Sequence, residues 1–473
     1  MSVIASQAIK STDRESTGFD RLGIIHAFFV LAAICASAYL GLGSAARYAF
    51  LTAALAFGSL WLIRDHRKYL VFLVCLFLFT SVARRVIDHA VGYADSNVTL
   101  LAPYAVGLLT FAHAFNFLAT GHRTSVEMIA LVAITFWALT LGATNVGPGA
   151  IAVDTLRWFT PLALFCYVMM LQHDHELHKA LATPLTAVAV VAALYSILQF
   201  CAPLPWDVYW VENSPIGSGP LGILGKPEPF QLRVFGTMNS PGSLAAALAT
   251  LALLIFAGHG PKVLIALILI FAAMSLTQQR SVMGGLVVGL LVLFAWGGGE
   301  LRLRILMFAA LGCTFVLVAI SMQPDIVQSL LDRFAVGHAL GDDGSLAARL
   351  RQLEIYPSII AERPFGYGFG YRGVLSVENG ALPVVLDNGF LDVLLNVGAP
   401  FGVVYLIALL SLVVSALAIG VVQRRFALCA ACAAICVLAQ LPFGSVQTGE
   451  HGVFAFLSLA LACHAKAGLR YER

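Results

Sequence analysis

Four arginines stand at the edges of apolar segments, where a charged side chain needs a specific role. They are Arg157 in DTLRWFTP, Arg233 in QLRVFGTMNSPG, Arg280 in SLTQQRSVMGG and Arg349 in GSLAARLRQLE. A planar guanidinium forms paired hydrogen bonds with phosphate oxygens and keeps its charge, so the set indicates a site for a phosphorylated substrate. The alternative is a position at the membrane surface, or an ion pair with a nearby acid. The acids concerned are Asp154, Asp207, Glu228 and Glu354.

Arg280 is the arginine for which a substrate role is most favoured by the sequence. Two apolar runs flank it closely, and no acid lies near it along the chain. A charge at membrane depth costs about 3 kcal/mol or more, and such residues usually face a cavity or a partner. We therefore expect Arg280 to border a cavity.

A helix start precedes one of these apolar runs. In FGTMNSPG, residues 235–242, Asn239 or Ser240 can cap a helix whose first turn contains Pro241. A helix N-terminus that faces a cavity favours anions. The alternative is a plain helix cap with no ligand.

Asp387 and Asn388 stand where the last long polar segment returns to an apolar run. A carboxylate at this position can accept a proton during catalysis. The alternative for Asp387 is an N-cap of a long helix that follows. Upstream, residues 362–374 alternate glycine with aromatic residues, which predicts a tight turn with exposed rings that face a sugar or lipid headgroups. These rings are Tyr367, Phe369 and Tyr371.

The elements that position these residues must be membrane helices. Of the 473 residues, 60% are hydrophobic and 11% are charged, whereas soluble domains carry roughly 25% charged residues. The mean hydropathy is +0.88. Because backbone polar groups cannot stay unpaired in hydrocarbon, the apolar runs are expected to be helices. The composition predicts an all-α, polytopic membrane protein with 12–14 transmembrane helices, and the net charge of +3 is too small to indicate nucleic-acid binding.

Positive charges predict the orientation of these helices. With the N-terminus in the cytoplasm and alternating spans, the cytoplasmic segments hold 16 of the 28 Lys and Arg residues, all in short stretches. Both termini are then cytoplasmic. Two long loops, 202–239 and 322–386, fall on the outer side, where long ordered loops usually carry function. No repeat or linker is evident, so residues 1–473 are expected to form a single membrane domain.

The combined pattern resembles the O-antigen polymerase and O-antigen ligase superfamily, which comprises Wzy-type and WaaL-type membrane glycosyltransferases. The resemblance covers about residues 230–402. The matching stretches are RVFGTMNSPG, SLTQQRSVMGG, SLAARLRQLEIYPSIIAERPFGYGFG and LDNGFLDVLLNVGAPFG. Each motif is loose by itself, and their order and spacing make the set more specific.

The resemblance implies an inverting glycosyltransferase of the C class, in the bacterial inner membrane, that uses a glycan donor on undecaprenyl diphosphate. It implies catalytic roles for Arg280 and Asp387, the latter as base. It implies substrate binding by Arg157, Arg233, Arg349 and Asn388. No metal or cofactor is implied. Besides the donor, the glycan acceptor and the bilayer, the expected partners are chain-length regulator and flippase proteins.

The sequence leaves three functions open. Ligases of the superfamily usually carry His-Asn where this chain has Asp387-Asn388, and this difference favours a polymerase of exopolysaccharide or surface polysaccharide repeat units. A ligase that transfers glycan to lipid A core or to protein is the first alternative. The alternative from another class is a secondary transporter or lipid-linked sugar flippase, for which internal repeats and midplane charges would be typical.

Overall fold

A computed structural model describes residues 21–119, 124–171, 174, 176–218, 224–258, 260–322, 344–372, 386–423 and 425–464. Within these ranges the chain is almost entirely helical. The α-helices are α1 (Arg21–Ser37), α2 (Ala45–Arg64), α3 (His66–Val91), α4 (Ala102–Leu108), α5 (Phe111–Ala119), α6 (Ser125–Asn145), α7 (Pro148–Met170), α8 (Leu177–Cys201), α9 (Pro205–Asn213), α10 (Pro215–Ser218), α11 (Pro241–Ile255), α12 (Pro261–Leu276), α13 (Arg280–Trp296), α14 (Gly299–Met322), α15 (Gly344–Glu362), α16 (Gly389–Val397), α17 (Ala399–Gln423), α18 (Arg425–Leu438) and α19 (Gly449–His464). A π-helical turn spans Ala38–Leu42, and 3₁₀ turns span Val98–Leu101 and Leu441–Phe443.

The described residues form nine helical segments that are long and apolar enough to cross a membrane. They are Gly23–Leu42, Ala45–Arg64, His66–Val91, Val98–Ala119, Val126–Asn145, Pro148–Met170, Leu177–Cys201, Ala399–Val422 and Arg425–Phe443. Three shorter apolar helices, α11, α12 and α13, add to this set. The predicted all-α, polytopic membrane fold is confirmed, and the expected number of 12–14 spans stays a prediction.

Ion pairs join several basic helix ends at one end of the bundle. Asp174, after α7, accepts hydrogen bonds from Arg67 at 2.5 Å and from His66 at 2.7 Å, at the start of α3. The His464 ring lies 2.8 Å from the Leu171 carbonyl oxygen, which brings the end of α19 to the same place. These contacts place the start of α3 and the ends of α7 and α19 on one face of the bundle.

A second group of contacts extends this face. Arg425 pairs with Glu300 at 2.8 Å, and Arg304 donates to the carbonyl of Gly258. The His178 and Phe426 rings lie 5.3 Å apart and join the two groups. We call this surface the basic face. Its residues are 64–68, 171, 174, 176–178, 256–258, 300–304 and 425–426.

Two helices extend beyond the apolar cores that the sequence predicts. Helix α7 begins at Pro148, which occupies its first turn after Gly147. Arg157, which the apolar pattern placed at the edge of a segment, is therefore in the middle of a helix. Helix α3 continues to Val91, so Arg84 and Arg85 lie within it. Both differences arise because charged residues inside a packed bundle interrupt an apolar pattern without ending the helix.

The long helix expected after Asp387 is broken at Gly398. This glycine separates α16 from α17 and has a φ of +85°. The N–H of Ala399 donates to the Pro364 carbonyl at 2.9 Å, and a Cβ on Gly398 would lie 2.3 Å from the carbonyl carbon of Phe365. The break thus makes room for the backbone of residues 364–365, which precede the second long loop's glycine segment.

Candidate active site

The segment that precedes α11 forms one edge of the candidate site. Ser240 caps the helix, and its hydroxyl oxygen accepts hydrogen bonds from the N–H groups of Gly242 at 3.2 Å and Ser243 at 3.4 Å. Pro241 is the first helical residue. The helix start predicted at Asn239–Pro241 is confirmed, with Ser240 as the capping residue.

Arg85 holds the segment before α11 in place through buried contacts. Its side chain is fully buried and pairs with the equally buried Asp207 at 2.8 Å. It donates hydrogen bonds to the carbonyls of Gly236 and Met238, and it lies 4.8 Å from the centre of the Phe235 ring. Because its donor groups point into the protein, Arg85 positions the loop and is not placed to meet a substrate.

Arg233 holds the turn that joins α12 to α13. Its Nε donates to the carbonyl of Thr277 at 2.9 Å. The Gln279 side-chain amide has one orientation in which both its oxygen and its nitrogen find suitable partners. In that orientation the oxygen accepts hydrogen bonds from Arg233 at 2.8 Å and from the N–H of Gly242 at 3.2 Å. Gln278 in this turn has a φ of +54°, a conformation that costs a non-glycine residue free energy. The turn is therefore tied to the N-terminus of α11.

The other residues named by the sequence lie around this turn or on the second long loop. Arg280 is the first residue of α13 and is exposed. Arg349 lies on α15, and its side chain falls outside the described residues. Asn388 caps α16, accepting from the N–H groups of Phe390 and Leu391 at 3.0 and 3.1 Å. The alternative role of Asp387 as the cap is therefore wrong.

A cavity of about 630 Å³ opens beside the N-terminus of α11. Charged and amide side chains line it together with aromatic residues. Among them are Arg84 of α3, Arg157 of α7, Glu450 of α19 and Asn239, which precedes α11. Gly449 begins α19 with a φ of +62°, and a Cβ there would lie 3.2 Å from Nε of Arg157 and 3.4 Å from the hydroxyl of Tyr104. A glycine at this position lets the guanidinium lie close against the helix start.

Ion pairs stabilise the opposite wall of this cavity. Asp88 is fully buried and accepts hydrogen bonds from Arg47 at 2.8 Å, Arg84 at 3.1 Å and Asn97 at 2.8 Å. Arg84 also donates to the carbonyl of Ala94 at 2.7 Å. A buried carboxylate with three donors holds both arginines in fixed positions. Arg84 is thereby presented at the cavity with its orientation set.

A second buried carboxylate, Asp392, organises the second long loop. Its side chain accepts hydrogen bonds from the Tyr371 hydroxyl at 2.7 Å, from Arg372 at 3.3 Å and from the Gln447 amide at 3.0 Å. Burial raises the pKa of the Tyr371 phenol well above its usual range, so the hydroxyl stays protonated and donates. Asp392 thus connects this loop to the segment before α19.

The glycine segment of this loop packs against α6 and α7. The N–H of Phe369 donates to the Ala138 carbonyl at 3.0 Å, and that of Gly370 donates to Asp154 at 2.8 Å. The expectation that the rings of this turn are exposed is wrong: Tyr367, Phe369 and Tyr371 are each no more than 2% exposed. Positive φ at Gly366, Gly368 and Gly370 turns the backbone so that the rings enter the core.

Asp154 and Arg157 lie one turn apart on α7, so the cavity and the second loop share this helix. Of the residues named by the sequence, Arg157 and Asn239 line the cavity. Arg233 is joined to the same helix start through Gln279, and Arg280 follows Gln279. Asp387 and Asn388 lie at the start of α16. Gly389, the next residue, is close to Gln447, because a Cβ on it would lie 3.0 Å from the Gln447 side chain.

Sequence reasoning missed Arg84, Asp392 and Glu450. Two adjacent arginines in an otherwise apolar helix are a signal for Arg84, since ionisable residues inside a membrane usually mark function. Asp392 is the acid of an apolar stretch, FLDVLLNV, and offers the same signal. Glu450 follows Gly449 at the start of an apolar run, which is the pattern of a helix start.

Comparison with known proteins addresses the resemblance. No curated protein matches the chain. Residues 265–407 match the family model Wzy_C, described as O-Antigen ligase. The matched residues include most of α12 and all of α13 to α16, and thus Arg280, Arg349, Asp387 and Asn388. The match confirms the resemblance of this multi-pass membrane protein to the O-antigen polymerase and ligase superfamily, without distinguishing its polymerases from its ligases.

Proposed function

We propose that the protein polymerises oligosaccharide repeat units carried on undecaprenyl diphosphate into a surface polysaccharide or exopolysaccharide, by inverting glycosyl transfer. The observation that supports this most is the cavity of about 630 Å³ bordered by Arg84, Arg157, Asn239 and Glu450. Two arginines lie next to the N-termini of α11 and α19, and the positive charge there suits a diphosphate.

In the proposed reaction an acceptor sugar hydroxyl attacks the anomeric carbon of the donor, and the lipid diphosphate leaves. Arg157 binds the diphosphate at the cavity, and Arg280 stabilises its developing charge. Arg233 acts next to them by holding the turn before Arg280. Such fixed charges lower the barrier most in a cleft from which water is excluded. Arg349 on α15 and Asn388 at the start of α16 bind the donor or acceptor.

The proposed site lies on the outer face of the inner membrane. The basic face is then cytoplasmic, as expected for segments rich in Lys and Arg. The cavity lies at the other end of the bundle, where lipid-linked repeat units arrive after transport across the bilayer. The proposed partners are therefore a flippase that delivers the donor and a protein that regulates chain length.

A ligase is the second candidate, because the matched family model, described as O-Antigen ligase, does not distinguish ligases from polymerases. In that case the acceptor is lipid A core or a protein and the donor is a finished glycan. The Asp387-Asn388 pair in place of the usual His-Asn supports the polymerase instead.

Purified protein with synthetic lipid-linked repeat units tests the proposal. A polymerase gives a ladder of products on a gel, and a ligase requires an added acceptor. In cells, deletion of a polymerase leaves single repeat units at the surface, whereas deletion of a ligase leaves complete glycan on the lipid carrier. Absence of any transfer by intact protein, with every acceptor tried, would reject both functions.

A further inference from the structure

We propose that Glu450 is the catalytic base of this site and takes the proton of the acceptor hydroxyl. The inference rests on the proposed function, because it concerns the same glycosyl transfer. It assigns the proton to a residue of α19, outside the region 265–407 matched by the family model, whereas the sequence alone favours Asp387 at the start of α16.

Glu450 lies where a base is needed. It lines the cavity in the first turn of α19 and is partly exposed to it. Its carboxylate interacts with the Ser243 side chain and with the charge of Arg157, and the Tyr104 hydroxyl contacts its backbone. The neighbours come from α11, α7 and α4, so three helices fix the position of one carboxylate beside the proposed diphosphate-binding arginine.

Other buried carboxylates at this end of the bundle already form ion pairs or accept several hydrogen bonds. Asp88 accepts from two arginines and an asparagine, and Asp207 pairs with Arg85 and accepts from Tyr195 at 3.0 Å. Asp392 accepts from a tyrosine, an arginine and a glutamine. A carboxylate with several strong donors is a poor base, because a proton must displace these bonds. Their geometry fits structural roles.

The two remaining acids near the cavity are less suited than Glu450. Asp154 accepts from the N–H of Gly370 at 2.8 Å, which commits one of its oxygens to the second loop. Asp95 lines the cavity but is exposed to solvent. Asp387 is not among the residues that line the cavity in the described part of the chain. Glu450 is therefore the partly enclosed carboxylate that borders the space where donor and acceptor would meet.

The step is a single displacement. The acceptor oxygen forms a bond to the anomeric carbon while the bond from that carbon to the diphosphate oxygen breaks, and the bonding electrons leave with the diphosphate. The hydroxyl proton passes to a carboxylate oxygen of Glu450. After release of the products, the proton leaves to water and the carboxylate is regenerated.

Glu450→Gln tests this assignment because it keeps size and hydrogen bonding and removes the base. Turnover and donor binding are measured separately on purified protein with a synthetic lipid-linked repeat unit. We expect turnover to fall by about 10²–10⁴-fold, the usual contribution of a positioned base, with donor binding and membrane abundance unchanged. Glu450→Asp keeps the carboxylate and should retain part of the turnover.

Glu127→Gln is the matched control. This glutamate accepts a hydrogen bond from Ser411 at 2.8 Å near the start of α6, at the end of that helix opposite Asn145 and the second loop. Its variant should transfer glycan at the wild-type rate. Wild-type turnover in Glu450→Gln would overturn the proposal, as would loss of donor binding together with turnover. So would an inactive Asp387→Asn protein next to an active Glu450→Gln protein. An inactive wild type would instead reject the proposed function.

Discussion

Arg85 and Arg157 show how burial decides what an arginine does. Arg85 is fully enclosed, forms an ion pair with Asp207 and donates hydrogen bonds to loop carbonyls. Arg157 is half-buried and borders a cavity. The residue type is the same, so sequence alone separates the two roles poorly. The decisive property is whether backbone carbonyls and acids of the protein itself already bind the guanidinium.

Asp207→Ala should destabilise the protein strongly. Removing one member of a buried ion pair leaves an uncompensated charge and costs about 3–5 kcal/mol. Thermal unfolding in detergent should show a clear decrease in Tm, and the amount of protein in the membrane should fall. The double variant Arg85→Met with Asp207→Leu removes both charges and should recover part of the loss. An Asp207→Ala protein as stable as wild type would contradict this role.

Arg280→Lys should lose most of its activity and remain in the membrane. Lysine keeps the charge but lacks the planar fork that pairs with two phosphate oxygens. Because Arg280 is exposed at the start of α13, the change should affect folding little. Polymer yield and membrane abundance are measured together. Normal polymer from Arg280→Ala would remove this residue from the site.

Asn388 has a capping role in the structure and a proposed substrate role, and two substitutions separate them. Asn388→Ala removes the cap of α16 and should cost about 1 kcal/mol of stability. Asn388→Asp keeps a capping oxygen but loses the amide donor. If Asn388 contacts substrate, the Asp variant should have wild-type stability and reduced polymer yield. Wild-type yield from this variant would limit Asn388 to the cap.

At the scale of elements, the glycine segment at residues 366–370 fixes how this part of the second loop attaches to the bundle. Its backbone passes between α6 and α16, and N–H groups donate to both: Tyr367 and Gly368 to the carbonyls of Leu395 and Asn396, and Phe369 to that of Ala138. The attachment uses main-chain bonds and buried rings, so it is rigid. It gives α15 and α16 a fixed position relative to α7, which carries Arg157.

Gly368→Ala should break this attachment. The residue has a φ of +81°, and a Cβ would lie 2.2 Å from the backbone nitrogen of Gly142, which cannot move aside. We expect loss of glycan transfer with increased protease cleavage in the second loop. Gly284→Ala is the control, because no atom lies within 4 Å of a Cβ there and the residue is helical. Normal activity of Gly368→Ala would show that the segment can detach without consequence.

The sequence predicts the positions of helices better than their ends. Apolar runs predicted the membrane segments, and Ser240 with Pro241 predicted the start of α11. The start of α7 at Pro148 and the continuation of α3 to Val91 were missed, because charged residues there pair inside the bundle. The break at Gly398 was missed for another reason: it depends on a backbone 34 residues earlier in the chain, at Pro364.

At the scale of the whole molecule, topology is the central prediction. Both termini and residues 172–179 should be cytoplasmic, and residues 202–239 and 322–386 should be outside. Reporter fusions at positions 215, 340 and 473 check this, with an outer-side signal at the first two positions and a cytoplasmic signal at the third. A cytoplasmic signal at position 340 would place the cavity on the wrong side for the proposed reaction.

The sequence predicted part of the cavity lining, and the binding of a phosphate group there stays a prediction. Arginines at helix edges indicated a phosphate site, and Arg157 lines the cavity. Glu450 was not predicted, because its helix begins 208 residues after the start of α11 and 42 residues beyond the end of the matched region. Only packing brings Gly449 against Arg157, and such long-range packing leaves no local pattern.

The position of α19 has a consequence for biosynthesis. Ribosomes make the chain from its N-terminus, so α7 and α11 enter the membrane long before Gly449–His464 is translated. Until α19 inserts, Arg157 lacks the helix start against which it rests, and the cavity lacks one wall. A nascent chain that has inserted α7 and α11 is therefore expected to be unable to carry out the proposed glycan transfer, and the proposed site is completed late in translation.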